Sequence, residues 1–367
     1  MRVLFWTDGF WPRLGGIETQ GFRFIEGMHK RGHEYIVVAQ KDHPSCSHET
    51  HCGVPIWRFD FNALVSKRDL PIIRSIQAFL EPMLKRFRPD VIHLNAALGG
   101  SAFAFLLFIR LFSAPIILTA HAPNLYEGKI PPVIEKIGAS VDRIGCVSAW
   151  VMREIETHLP QMKSKLRLIY NGLPLPKGPP TPLPFSPPTL LLFGRHSPEK
   201  GLAVGIDAFA LLKKRGSNAR LIIAGGGPDL PALKKLAEER NLQSSARFTG
   251  VLSDTEVLSA FNAATLVIVP SLVESFGLVI LESMQHQRPV VASRVEGIPE
   301  VVLDGETGIL VPPKDPVALC DAIESLLKQP EKAVQMGISG RARAILKFTI
   351  DQNLDGYEEL YENVILG

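Results

Sequence analysis

The chain has 367 residues, 46% of them hydrophobic and 21% charged, with a formal net charge of +3. That length is generous for one core and suits two domains, and the composition excludes a disordered or fibrous chain. Cys46, Cys52, Cys146 and Cys320 form no paired framework, which points to a reducing, cytoplasmic setting, and no nucleic-acid partner is expected.

The first ten residues carry one charge and a short apolar run ending at Asp8, too short for a signal peptide and suited to a first strand. Further strands are predicted at 35–39, 56–59, 91–94, 116–119, 143–147 and 166–169. Helical patterns fall between most of them, among them 18–31 and 72–87. Residues 101–119 approach membrane-span length, but Arg110 and Pro115 interrupt them; a buried helix over 100–112 followed by a buried strand accounts for the run. Strands alternating with helices imply a parallel, doubly wound sheet.

Residues 174–188 hold eight prolines in fifteen positions. Proline fixes φ and lacks a backbone donor, so this segment reads as a semi-rigid linker. Beyond it the alternation restarts, with strands at 190–193, 220–224, 246–249, 266–269, 290–292 and 308–311. Helices follow at 316–328, 330–347 and 351–364. The predicted fold class is α/β, with two Rossmann-like, doubly wound domains facing a cleft that would hold the ligand. The first covers 1–173 and the second 189–349.

Several segments carry chemistry. In Gly194-Arg195-His196-Ser197-Pro198-Glu199-Lys200-Gly201, two cations five residues apart sit on a strand-to-helix turn, where backbone amides already favour anions. A diphosphate leaving group needs such charges, although a polar turn has the same spacing. Gly225-Gly226-Gly227 follows a strand and can admit a nucleotide or simply reverse the chain. In the run 270–283, Glu274 precedes a helix beginning near Gly277 and Glu282 lies within it, among Leu278, Ile280, Leu281 and Met284. Two helical turns span about 11 Å, so the two carboxylates can take hydroxyls at opposite ends of a nucleotide-sugar. The amides of Phe276, Gly277 and Leu278 can face its oxygens.

Nearer the N-terminus, Gly15-Gly16 precedes a helix without the G-x-G-x-x-G pattern, which argues against a nicotinamide cofactor. His121 follows a buried strand, a position that suits a structural as well as a functional histidine. Residues 41–54 gather His43, Cys46, His48, His51 and Cys52, soft ligands whose spacing matches no standard zinc site; no metal centre is expected. Charge is uneven: residues 1–175 carry 21 Lys and Arg against 15 Asp and Glu, the remainder 19 against 22. The stretch from Arg58 to Arg88 is basic, which suits either a solvated helix face or contact with an anionic membrane surface.

Taken in order, the double glycine, the histidine after a buried strand, Tyr170-Asn171-Gly172, the GRxxxEKG run, the glycine-rich turn and the E-x7-E pair resemble glycosyltransferase family 4, retaining enzymes of the GT-B fold. The resemblance covers nearly the whole chain. It implies that Arg195 and Lys200 bind the donor diphosphate, Glu282 the ribose and Glu274 the transferred sugar. It implies that His121 contacts that sugar, that Gly16 approaches the donor, and that the final helix, about 350–367, packs back on the first domain. The reaction implied is transfer from a nucleotide-sugar to a sugar-containing or lipid-linked acceptor, without cofactor or metal. Competing readings are a sugar-nucleotide epimerase or phosphorylase on the same scaffold, and a non-catalytic two-domain binding protein.

Overall fold

The computed structural model describes residues 1–12, 15–41, 48–67, 70–95, 100–123 and 130–367. The chain divides into two units, residues 1–172 with 350–367, and residues 173–349.

In unit 1 the described strands are β1 (Arg2–Thr7), β2 (Glu34–Gln40), β3 (His48–His51), β4 (Val54–Phe59), β5 (Val91–Asn95), β6 (Ile116–Ala120), β7 (Arg143–Cys146) and β8 (Leu166–Leu168). They lie in the order β3-β4-β2-β1-β5-β6-β7-β8. All neighbours are parallel except β3 and β4. Continuous apolar runs such as Val3–Trp6 form the centre because both faces of a parallel sheet are covered. From β1 the chain winds one way to β2 and β4, then crosses to β5 on the other side. That places the reversal of strand order between β1 and β5. The register sets Thr7 beside Asn95 and Asn95 beside Thr119, a polar row at the carboxyl ends of β1, β5 and β6.

The C-terminal helix Ile350–Leu366 belongs to this unit and buries Asn353, Leu354, Tyr357, Leu360 and Tyr361. Arg31 binds Asp351, Asp355 and Glu358, and His33 binds Glu358 at 2.7 Å, fastening its outer face.

In unit 2 the strands are β9 (Thr189–Phe193), β10 (Arg220–Ala224), β11 (Ala246–Gly250), β12 (Leu266–Val269), β13 (Val290–Ser293) and β14 (Gly308–Val311). The order is β11-β10-β9-β12-β13-β14, all parallel. Here the reversal falls between β9 and β12. Leu190, Leu192, Ile206, Phe209, Leu221 and Ile268 anchor the core.

Four expectations change. The polar run His48–His51, outside every strand expected from the sequence, is an antiparallel edge strand held by β4. The proline-rich run falls within unit 2 rather than standing free as a linker. The fully buried Arg288 binds the Thr181 carbonyl at 2.9 Å, the Pro182 carbonyl at 3.3 Å and the Thr181 hydroxyl, and Thr265 donates to the Pro184 carbonyl. Prolines cannot donate, but their carbonyls accept, and that ties the segment down. The helix read as buried, Gly100–Phe108, exposes Phe103 and Leu107. Arg58, counted in the basic surface, is buried; it bonds Glu49 at 2.6 Å and the Trp11 carbonyl. Among the described residues no helix is long and apolar enough to cross a membrane.

Candidate active site

In open α/β sheets ligands gather outside the carboxyl ends of strands where the strand order reverses. In unit 2 that point lies between the loop after β9 (194–201) and the loop after β12 (270–277). Lys200 comes from the first and Glu274 from the second, and Lys200 Nζ lies 2.7 Å from Glu274 Oε2. The side chains are 32% and 16% exposed, so the pair stays reachable from solvent.

Backbone contacts seal the loops together. The amides of Leu272 and Val273 donate to the Glu199 carbonyl at 2.8 and 3.3 Å. Gly201 has φ +61, and a methyl there would strike the Pro270 carbonyl. Gly225 has φ +119 and presses on the Gly194 carbonyl, while the His196 amide donates to Gly226 at 2.8 Å. The glycine-rich turn after β10 is thus a close backbone approach that braces the Arg195–Lys200 loop.

Within that loop, Arg195 is exposed and the 3-10 turn Pro198–Lys200 leads into the helix Leu202–Lys214. Burial opposes ionisation of Glu199, but the Ser197 hydroxyl, its own backbone amide and the charges of Lys200 and Arg195 outweigh it and hold its carboxyl below the usual range. Glu199 therefore stays an anion among these cations.

The helix Leu278–Gln285 opens on Gly277 at φ +97. The Gly277 and Leu278 amides form no hydrogen bond among the described residues, as expected for groups at a helix start. Phe276 is buried, its ring edge-on to Phe348 at 5.6 Å. Glu282 is half-buried on the helix.

One contributor escaped the sequence. Glu296, in the loop after β13, adopts φ +46 and accepts a 2.7 Å bond from the Glu274 amide; the Gly297 amide donates to the Glu274 carbonyl at 3.1 Å. Both backbone groups of Glu274 are therefore held from a third strand. The only sequence signal was an acid beside a glycine before a helix.

In unit 1, Gly15 caps the helix Gly16–Lys30 in extended conformation. Glu18 folds back beside Gly15 and Gly9, so this helix start already carries a carboxylate. His121 is buried and its Nε2 lies 2.7 Å from Asn95 Oδ1. Burial pushes its pKa down to about 4, so the ring is neutral near pH 7.

Residues 14–176 match the family model for glycosyltransferase family 4, and residues 180–343 match that for group 1 glycosyl transferases. Together the two models cover most of the chain, which is therefore of the family 4 type. Alpha-D-kanosaminyltransferase of Streptomyces kanamyceticus is 36% identical over 175 residues, which are 48% of this chain and 45% of that protein. The first curated relatives it matches are aligned over only 36% to 66% of their own length. Sucrose-phosphate synthase from Thermosynechococcus elongatus superposes with TM-score 0.83 at 21% identity, over 100% of this chain and 99% of that one. Anabaena HepE in complex with UDP and glucose gives 0.77 at 20% identity, over 99% and 100%. The fold is GT-B, each unit a doubly wound parallel sheet of the kind expected.

For a family 4 chain, the site residues named from sequence sort by unit. Arg195, Lys200, Gly225, Gly226, Glu274, Phe276, Gly277, Leu278 and Glu282 all lie in unit 2, on the loops after β9, β10 and β12 and on the helix that follows. Gly15, Gly16 and His121 lie in unit 1. In the His/Cys-rich run, His48 packs on Trp57 at 4.0 Å and His51 on Trp11 at 4.2 Å, as aromatic contacts. His43 and Cys46 lie outside the described residues.

Proposed function

We propose that the protein moves a hexosyl-type sugar from a nucleoside-diphosphate sugar to an acceptor hydroxyl, with retention at the anomeric carbon and without a metal ion. The observation that carries this reading is the Lys200–Glu274 pair at the strand-order reversal of unit 2. A diphosphate seated there meets Lys200, the exposed Arg195 and the open amides of Gly277 and Leu278. These groups neutralise the leaving group as the anomeric C–O bond breaks. Glu282 takes the ribose hydroxyls and Glu274 the transferred sugar; the family resemblance implies a sugar contact for His121 and a donor contact for Gly16.

Retention is what the family resemblance implies, and the side chains named here suit it. Glu274 is ion-paired, and His121 has little affinity for a proton. The acceptor's proton then passes to a departing diphosphate oxygen while its hydroxyl oxygen bonds the anomeric carbon on the same face. The name of HepE's ligands makes uridine the first base to try.

The acceptor is proposed to be sugar-containing or lipid-linked. The helix Leu70–Phe87 exposes Leu70, Arg74, Lys85 and Arg86, with exposed Arg88 just beyond its end, which suits peripheral contact with an anionic membrane at its cytoplasmic face. Loss of binding to anionic vesicles even at low salt would remove that part of the reading.

Thermal denaturation with UDP, GDP, ADP and their sugar conjugates tests the donor site. One nucleotide at a hundred times its dissociation constant adds about 2.7 kcal/mol, and Glu282→Ala removes most of the gain. No stabilisation by any of them sinks the donor reading. Product anomeric configuration, read by NMR, decides retention.

A further inference from the structure

His121 sits at the end of a hydrogen-bond chain whose direction is fixed by chemistry. The Thr7 hydroxyl lies 3.0 Å from the Gly9 carbonyl, which can only accept, so the single hydroxyl proton of Thr7 is spent there. Thr7 Oγ1 is therefore an acceptor toward Asn95, whose Nδ2 lies 3.4 Å away. That fixes the Asn95 amide, a group whose O and N ends are otherwise assigned only from their partners. Its Oδ1 then faces His121 Nε2 at 2.7 Å and can only accept. The proton of the neutral imidazole must sit on Nε2, leaving the lone pair on Nδ1, which bonds no group among the described residues.

The surroundings leave this polarity undisturbed. Thr7 and Asn95 are buried, and the three side chains stand at the ends of β1, β5 and β6, beside the strand-order reversal of unit 1. The cavity His121 shares with Gln20, His93, Asn353 and Tyr357 has no Asp, Glu, Lys or Arg among its described lining residues. The titratable groups facing it are His93 and Tyr357. His93 is held neutral by burial and by His121, and burial keeps the Tyr357 phenol protonated.

We propose that Asn95 is a positioning residue: anchored through Thr7 to the Gly9 carbonyl, it locks His121 in the Nε2–H tautomer, so that His121 meets a sugar hydroxyl through Nδ1, as a hydrogen-bond acceptor. The lock is a property of unit 1 alone; its consequence for transfer rests on His121 being a sugar contact. Because the chain starts in the loop that precedes Gly15-Gly16, a shift of that loop is transmitted to the atom His121 offers.

Long-range 1H–15N spectra of 15N-histidine-labelled protein test the lock without activity, with His121 assigned from the His121→Phe spectrum. The expected spectrum shows one neutral tautomer protonated at Nε2 from pH 6 to 8. Asn95→Asp keeps the acceptor oxygen and adds charge, so His121 keeps its Nε2 proton and titrates at higher pH. Asn95→Leu, or Thr7→Val should the first fold poorly, yields a tautomer mixture. These variants lower kcat/KM about tenfold or more, while the nucleotide dissociation constant stays put. An Nδ1–H signal in the wild type overturns the proposal, as does unchanged kcat/KM in variants whose lock is lost. Failure of the donor reading shows separately, as absence of nucleotide binding.

Discussion

Lys200 and Glu274 are separated by 74 positions and joined by one 2.7 Å bond. Both were legible as charged residues at strand-to-helix turns, because such turns have a short sequence signature. Their pairing was not, because it depends on β9 lying next to β12 rather than next to β13. Glu296 was illegible for a related reason: a left-handed glutamate is chosen by the loop it braces and leaves no periodic mark. Replacing Lys200 with Met removes one positive charge from the proposed leaving-group site and leaves Glu274 half-buried without its cation. The expected result is a kcat lower by about 10²–10³, with the circular dichroism spectrum unchanged. A kcat within threefold of wild type would show that the pair is structural. Glu296→Gln keeps the bond to the Glu274 amide through its amide oxygen, so its effect on kcat is expected to be much smaller than that of Lys200→Met.

At the level of elements, the sequence exposed nearly every parallel strand, because a strand buried on both faces is a plain apolar run. It missed β3, whose residues His-Glu-Thr-His have no apolar alternation and pair only with β4 at the sheet edge. It also miscast the proline-rich run, because the partner that fixes it, Arg288, lies about a hundred residues away. Burial pushes the Arg288 pKa down to about 10, still high enough for the guanidinium to stay charged at neutral pH. Arg288→Met removes the donors to the Thr181 and Pro182 carbonyls. An unsatisfied buried polar group costs about 1–3 kcal/mol, and the segment loses its fastening. Limited proteolysis is expected to cut within residues 174–184 in the variant and to leave the wild type intact there. Equal resistance of the two proteins would mean that Thr265 and the prolines suffice to hold it.

On the scale of the whole molecule, the two units can be watched separately. All four tryptophans (Trp6, Trp11, Trp57 and Trp150) lie in unit 1, so tryptophan fluorescence reports its unfolding alone. That unit buries His93 and His121, whose pKa values fall from an ordinary 6.5 to about 3 and about 4; burial is the main cause in both, with the His121 charge adding at His93. The unfolded chain takes up these protons as pH drops through 6.5, while the folded chain does not until pH 3–4. Stability is therefore fully present above about pH 6.5 and lost as pH falls toward the folded values, by about 2 kcal/mol per histidine at pH 5. Carboxylates act later. Glu358 lies below its ordinary 4.5 because His33 and Arg31 outweigh its burial, and Asp90 below 3.8 because Arg2 does the same, so their share is lost only under more acid conditions. In unit 2, His286 is lowered to about 4 by burial and then by Arg288 and Arg341, but it is silent in tryptophan fluorescence. Urea unfolding followed by fluorescence should thus show a lower midpoint at pH 5 than at pH 7.5, and His93→Gln should remove about half of that difference. A midpoint that does not move between these pH values would mean that the buried imidazoles already carry their protons in the folded unit, contrary to the lowering that burial imposes on both.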